Sequence, residues 1–382
     1  MIEHSYKVRE KTWKLERYPK LGSTTLRAWS AADEFLADTV QLPSRNKPLR
    51  ILVLNDAFGA ISLPFSNHRT VVMVDSFLSE VAIRRNMKLN KVPEEAIQFI
   101  SSTEEIQQKF DVLLIGMPSS MNLLEFQLTR VRAYLQSKCA IFAVAMYKDA
   151  NNELYNILQQ TLGPTSGPAI PSRKKARLFQ IELDADTRRL MKDIPLRSYK
   201  IANIDSEILS APGVFSSDRL DEGTRLLMEY IPENKRAISI VDYGCGSGVL
   251  GLVALSQCPK ASLVMIDESR LALYSAQETF KKNNIDTKNV TFRLANGFIG
   301  TAPDSFDLVL SHPDLTVEGS YFSLLAQQFI AQSHVVLRPG GRLLFVTSKE
   351  YPVASIVEEV FGTVELLDEE SNYRVYSAIK KE

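Results

Sequence analysis

Residues 238–251 read ISIVDYGCGSGVLG, an apolar run that reaches Asp242 and opens into Gly244, Cys245, Gly246 and Gly248 before a second apolar stretch. A continuous rather than alternating apolar run predicts a strand buried on both faces of a parallel sheet. Glycines directly after it predict a turn whose backbone can pass close to a ligand, with the amino end of the next helix facing the same point. Strand, glycine turn and helix in that order make the opening unit of an α/β nucleotide-binding layer.

The pattern continues on the carboxyl side. SLVMID (262–267) reads as a strand ending in Asp267, RLALYSAQETFKKN (270–283) as an amphipathic helix, FDLVLSHP (306–313) as a strand and loop, and GGRLLFVTS (340–348) as a late strand. The same order occurs earlier in LRILVLNDAFGAIS (49–62), VVMVD (71–75), the helical spacing of 77–89, DVLLIGMP (111–118) and CAIFAVAM (139–146). A repeat of this length predicts a duplicated domain rather than a solenoid. In the first copy Asp56 and Asp75 are expected to answer Asp242 and Asp267, while Gly59 stands alone and Phe58 fills the space a ligand needs. The fold class expected is therefore α/β, with two tandem Rossmann-like domains of which the first is degenerate. They are expected over 1–190 and 191–382, dividing near Asp186 to Pro195.

A chain of 382 residues suits two domains that each bury a core. The composition, 45% hydrophobic and 24% charged with a net charge of +0, excludes a fibrous or wholly disordered chain and a general polycation. Residues 1–200 nevertheless carry a surplus of Lys and Arg, and the basic run Arg173, Lys174, Lys175 and Arg177, taken together with Arg84 and Lys88, is expected to face a polyanion. Cys139, Cys245 and Cys258 with four histidines are too few and too scattered for a disulfide framework or a zinc site, so no metal is expected. The opening residues lack the apolar core of a signal peptide, and no run approaches membrane-spanning length; the expectation is a cytoplasmic protein with no membrane partner.

Gly246, Gly248 and Gly251 also fit the dinucleotide pattern G-x-G-x-x-G, but Asp242 would then face a pyrophosphate. A carboxylate there suits a cofactor with a cationic amine, S-adenosylmethionine. Asp267, with Glu268 beside it, ends the next strand where a carboxylate can accept ribose hydroxyls.

These motifs, with LERYP (15–19), LRAWSAADEFL (26–36), RKKARL (173–178), PGVFS (212–216) and LDEGTRLLMEYIPEN (220–234), resemble the ribosomal RNA guanine-N2 methyltransferases with tandem class I methyltransferase domains. The closer resemblance is to the 23S large-subunit enzymes and the next to the 16S small-subunit enzymes, and it covers nearly the whole chain. It implies an rRNA-binding first domain and a catalytic second domain, acting as a monomer on rRNA, naked or in a subunit. It also implies a cofactor turn at Asp242, Gly244, Cys245, Gly246 and Gly248, a ribose acid at Asp267, and an adenine-side segment at Asn296 and Gly297. The N-P-P-F catalytic loop of that family falls on His312, Pro313, Asp314 and Leu315, a departure that removes the amide and the aromatic. Here His312 or Asp314 is expected to accept the target amine. A chain that keeps the architecture as an RNA-binding or ribosome-assembly protein without transfer is the alternative.

Overall fold

A computed structural model describes residues 4–20, 26–166, 174–184, 193–201, 204–313 and 320–381, with the side chains of 320–323 left aside. The chain divides into two compact units, Met1–Pro195 and Leu196–Glu382.

In the second unit a seven-stranded sheet runs in the order Val290–Leu294, Ser262–Asp267, Ser239–Tyr243, Phe306–Ser311, Leu337–Ser348, Tyr373–Ile379 and Glu365–Glu370. All neighbours are parallel except Tyr373–Ile379, which is antiparallel to both of its partners. Alternate residues of the central strand feed separate cores: Ile240 packs with Leu252, Leu263 and Leu308, while Val241 packs with Ile266, Val309 and Phe345. This two-sided burial is why the strand reads as an unbroken apolar run. Helix Arg270–Lys282 starts where the Ser269 side chain accepts from the Ala272 amide, and it buries Leu271, Ala272, Ser275, Ala276, Thr279 and Phe280 along one stripe.

The first unit repeats the plan. Its seven strands run Ile97–Ile100, Arg69–Met73, Arg50–Leu54, Phe110–Ile115, Leu135–Met146, Ala176–Ile181 and Thr165–Ser166, with the same directions. Helix Phe77–Leu89 is capped by Ser76 just as Ser269 caps its counterpart. One feature of the repeat was invisible in the apolar pattern. Each unit opens with an antiparallel hairpin, Ser5–Val8 with Lys11–Lys14 in the first and Arg197–Ile201 with Ser206–Ser210 in the second. Each hairpin docks on a helix end through an asparagine: Asn90 donates to the Lys14 carbonyl and accepts from the Lys14 amide, and Asn283 does the same with Glu207.

Backbone pairing corrects the expected match of acids. Arg50 and Ser239 are equivalent, because each amide donates to the carboxylate of the neighbouring strand, Asp111 at 3.0 Å and Asp307 at 2.7 Å. Counting along the strands, Asp242 is answered by Val53 and not by Asp56, which lies beyond the strand at the place of Cys245. On the next strand the helix caps align Ser76 with Ser269, so Asp267 is answered by Val74, and Asp75 matches Glu268. Both valines are buried. Neither strand-end acid is present in the first unit.

Candidate active site

The carboxyl ends of Ser239–Tyr243 and Phe306–Ser311 lie side by side where the strand order of the second sheet reverses, the crevice in which open α/β sheets hold ligands. Asp242 stands at this edge, fully buried. Its Oδ2 accepts from the Gly251 amide at 2.9 Å, whereas its Oδ1 is buried with no hydrogen-bond partner. Burial, and after it the nearby Asp267 charge, push this carboxyl up to about 7 against the pull of the Gly251 bond. An orphaned buried acceptor beside an open turn is placed to take a donor from a ligand.

The turn that follows separates two uses of glycine. Gly244, Gly246 and Gly248 all have positive φ. A Cβ at Gly244 or Gly246 would meet nothing within 4 Å, so these two face open space. At Gly248 it would lie 3.2 Å from Ala276 and at Gly251 2.9 Å from Met265, so these glycines let helix Val249–Gln257 seat against its neighbours. Cys245 points inward, and its thiol is held well above the ordinary range by burial.

Asp267 closes the turn from the next strand. Its Oδ2 accepts from the Gly246 amide and its Oδ1 from the Ser269 amide, each at 2.9 Å. Glu268 follows it, ahead of the helix. Beyond the third strand, the Ala295 amide donates to the Asp267 carbonyl and leads into Asn296 and Gly297. Gly297 has φ +58, where any other residue would be strained, and a Cβ there would lie 2.8 Å from the end of the Gln332 side chain, so the position favours glycine. The Tyr243 ring packs 5.0 Å from both Phe298 and Phe329, forming an aromatic floor beneath Asn296 and Gly297.

His312 lies at the other side of the crevice, followed by the buried Pro313; Asp314 and Leu315 lie outside the described residues. The His312 Nδ1 is 3.0 Å from Thr224 Oγ1 and 3.3 Å from Asp221 Oδ2. Tyr373 donates from its hydroxyl to Asp221 Oδ1 at 3.0 Å. The rings of Phe215 and Tyr373 meet the imidazole edge-on at 5.5 and 5.6 Å. Gly223 leaves room for this packing, since a Cβ there would lie 2.6 Å from Tyr373 and 3.0 Å from His312. The structure thus gathers Asp242, the glycine turn, Asp267, Glu268, Asn296, Gly297, His312 and Pro313 along one sheet edge. Sequence reasoning missed Asp221, Thr224, Phe215 and Tyr373 as neighbours of His312. The D-x-x-T spacing of 221–224 signals a helix cap, which it also is, since Asp221 accepts from the Thr224 amide; nothing local announced its second partner.

In the first unit the basic residues do not form the single patch expected. Arg84 lies over Phe99 on one edge strand, paired with Glu80 and Glu94, whereas Arg177 is on Ala176–Ile181 toward the opposite edge, bonded to Tyr155. Lys174 pairs with Glu34 at 2.6 Å, and Arg173 lies outside the described residues. Other cations sit on aromatic faces: Arg17 over Phe58 and Arg85 over Tyr18.

Comparison with known proteins agrees with this geometry. Residues 3–185 match the family model described as RLMG N-terminal domain, and residues 205–377 match Methyltransferase small domain. The chain is 31% identical over 375 residues to ribosomal RNA large subunit methyltransferase G of Yersinia pestis (strain Pestoides F), covering 96% of this chain and 92% of that one. Against the same-named protein of Yersinia enterocolitica the identity is 31% over 379 residues, with 97% and 92% covered. Among solved structures, the T. thermophilus 16S rRNA N2 G1207 methyltransferase (RsmC), in complex with AdoMet and guanosine, superposes with a TM-score of 0.79 at 18% identity, over 99% of this chain and 97% of that one. That last likeness establishes the tandem methyltransferase fold.

Proposed function

This chain belongs to the ribosomal RNA large subunit methyltransferase G family, and from that premise we propose how its second unit performs the reaction. The reaction is S-adenosylmethionine-dependent methylation of the exocyclic N2 amine of a guanine in 23S rRNA. The observation that carries the site assignment is the orphaned, buried Oδ1 of Asp242 beside the open faces of Gly244 and Gly246.

The residues fit the cofactor. Asp242 would hold its cationic amine, and the backbone of Gly244, Cys245, Gly246 and Gly248 would border it. Asp267 and Glu268 would take the ribose hydroxyls, and Asn296 and Gly297 would flank the adenine. Two backbone donors orient the Asp267 carboxylate, whose capacity as an acceptor exceeds two bonds. When bound, S-adenosylmethionine supplies an electrophilic methyl group on a sulfonium.

The rest falls to the chain. A guanine amine has its lone pair delocalised into the ring, so it must be held and its developing positive charge stabilised by acceptors. The Asp221 carboxylate beside Nδ1 favours the His312 tautomer with its proton there, which makes Nε2 the acceptor nitrogen. Nε2 would accept from the amine, with the Pro313 carbonyl and the Asp314 carboxylate as further acceptors, and the proton released on methylation passes to this acceptor set. The target base has to leave its stack to reach such a site.

The first unit serves as the RNA platform in this reading, supported by its arginines on aromatic faces, groups suited to phosphates and to unstacked bases. The three cysteines are free and buried, which suits a reducing compartment, and among the described residues no helix is long and apolar enough to cross a membrane. We place the enzyme in the cytoplasm, acting as a monomer on rRNA, naked or in a subunit.

The test is transfer of labelled methyl groups from S-adenosylmethionine to protein-free 23S rRNA and to large subunits, with nucleoside analysis of the product. N2-methylguanosine is expected, with a loss of about 100-fold in kcat for His312→Ala and a cofactor affinity within a few-fold of wild type. Cofactor binding without transfer to any rRNA would reassign the chain as an RNA-binding ribosome-assembly protein. Transfer undiminished by alanine at both 312 and 314 would remove these side chains from the chemistry.

A further inference from the structure

A purine held outside its helix needs a flat apolar surface for its π-face, since hydrogen bonds to its edge leave the ring free to tilt. In the loop segment His312, Pro313, Asp314 and Leu315 the only ring with a π-face is the His312 imidazole, which the proposed reaction uses as the acceptor of the amine. The segment Pro212–Ser216 offers another. Phe215 is 64% exposed, the most exposed of the large apolar side chains among the described residues, and its ring stands edge-on to the His312 imidazole at 5.5 Å and 82°.

A singly exposed apolar residue is ordinarily of no consequence. The backbone around this one argues otherwise. Gly213 has φ +85 and Ser216, which is not glycine, has φ +51, so left-handed residues flank the two positions between them. Val214 turns inward and is buried, its amide donating to the Ala211 carbonyl at 3.3 Å, while the Ser216 hydroxyl donates to the Arg219 carbonyl. The Ala211 amide in turn donates to the Ser275 hydroxyl inside the core, which fixes the base of the loop. The loop accepts one unfavourable φ, at Ser216, and holds an aromatic ring in solvent beside His312.

We infer that Phe215 is the surface on which the target guanine stacks, a specificity-determining residue for the reaction proposed above, on which this inference rests. Phe215 supplies the π-face while the His312 loop receives the amine, so recognition of the base is shared between two loops at one sheet edge.

The experiment compares Phe215→Ala, Phe215→Leu, Phe215→Tyr and Phe215→Trp in the full chain, measuring methyl transfer to protein-free 23S rRNA, S-adenosylmethionine affinity by calorimetry, and thermal unfolding. Alanine and leucine should each lower kcat/KM for RNA by about 10- to 100-fold, while tyrosine and tryptophan stay within a few-fold of wild type and cofactor affinity is unchanged throughout. The leucine variant is decisive because it keeps apolar volume and removes only the π-face. Leucine as active as wild type would overturn the stacking role and leave the proposed reaction standing. A parallel fall in cofactor affinity would overturn it too, making Phe215 a wall of the cofactor site. A wild-type protein that transfers no methyl group to any rRNA would defeat the proposed reaction, and this inference with it.

Discussion

The second sheet carries Asp242 and Asp267 at the carboxyl ends of two adjacent strands, and the first unit has Val53 and Val74 at the equivalent positions. The turns after them differ to match. In the second unit the turn stays open, with Gly244 and Gly246 facing space and Asp242 Oδ1 lacking a partner. In the first the chain collapses onto Asp56, a buried carboxylate that accepts from the amides of Phe58, Gly59, Ile61 and Ser62 at 2.7 to 3.3 Å. Helix Val249–Gln257 is replaced by a single short turn, Leu63–Phe65. Asn86 pins the closed form by donating to the carbonyls of Glu16 and Phe58, where the hydroxyl of Thr279 at the matching helix position pairs with the backbone of Leu209. One fold thus uses a buried carboxylate in two ways: satisfied by its own loop it is structure, and left half-satisfied it is the group we propose for the cofactor amine.

The sharpest way to break that comparison is to neutralise both acids. Asp56→Asn turns part of a buried group that accepts from four backbone amides into a donor, and should destabilise the first unit by about 2 to 4 kcal/mol in urea unfolding while leaving S-adenosylmethionine affinity unchanged. Asp242→Asn should do the reverse. Its carboxyl is raised from 3.8 to about 7 in the folded protein, so the native state holds the proton more tightly than the unfolded chain. The stability this gives is complete below about pH 4 and is lost as the pH rises through about 7. At pH 8 the asparagine variant without cofactor should therefore be more stable than wild type, by up to about 4 kcal/mol, with the gap closing toward pH 4. The same variant should lose cofactor affinity by about 100-fold or more. Equal losses of cofactor affinity from the two substitutions would end the distinction between the units.

The acid proposed for the ribose gives the next largest effect. Asp267→Ala should cost about tenfold to a hundredfold in cofactor affinity in a folded protein, because each charge-assisted bond is worth roughly 1.5 to 3 kcal/mol. Direct RNA affinity should barely change. Proton linkage sharpens the contrast further: if ionised Asp242 holds the cofactor amine, wild-type affinity should fall about tenfold between pH 8 and pH 6, and the pH dependence should flatten in Asp242→Asn. Calorimetry showing the same slope in both proteins would remove Asp242 from the amine site.

The duplication, the glycine turn and both acids of the second unit were legible in the sequence because apolar runs bounded by glycine and aspartate have few other readings. The register was not. VLND (53–56) and IVDY (240–243) both place an aspartate near the end of an apolar run, so matching by similarity set Asp56 against Asp242. What fixes the true register is the clamp of Arg50 and Ser239 on Asp111 and Asp307, side chains 61 and 68 residues downstream. The surroundings of His312 were hidden for the same reason. Asp221 and Tyr373 lie 91 and 61 positions away along the chain, and no local pattern brings them together. The pairing of Asn90 and Asn283 with the opening hairpins likewise depends on helix ends meeting strands far from them in sequence.

The smallest effect tests whether the first unit, with valines in place of the two acids, is an RNA surface. Its basic residues are not equivalent in the structure. Lys174 and Lys175 are both exposed on left-handed backbone, at φ 51 and φ 60, but Lys174 is already paired with Glu34, and Arg177 is bonded to Tyr155 with its guanidinium near the Tyr147 ring. Each phosphate that the protein ceases to neutralise lowers the slope of log affinity against log salt by about 0.7 to 0.9. Lys175→Gln should therefore reduce the slope of binding to protein-free 23S rRNA by nearly one such step, and Lys174→Gln by less, since Glu34 already offsets that charge. Neither should alter S-adenosylmethionine affinity. If both variants keep the wild-type slope and Arg85→Gln reduces it, the RNA runs along the opposite edge of the first sheet, past Tyr18 and the helix Phe77–Leu89.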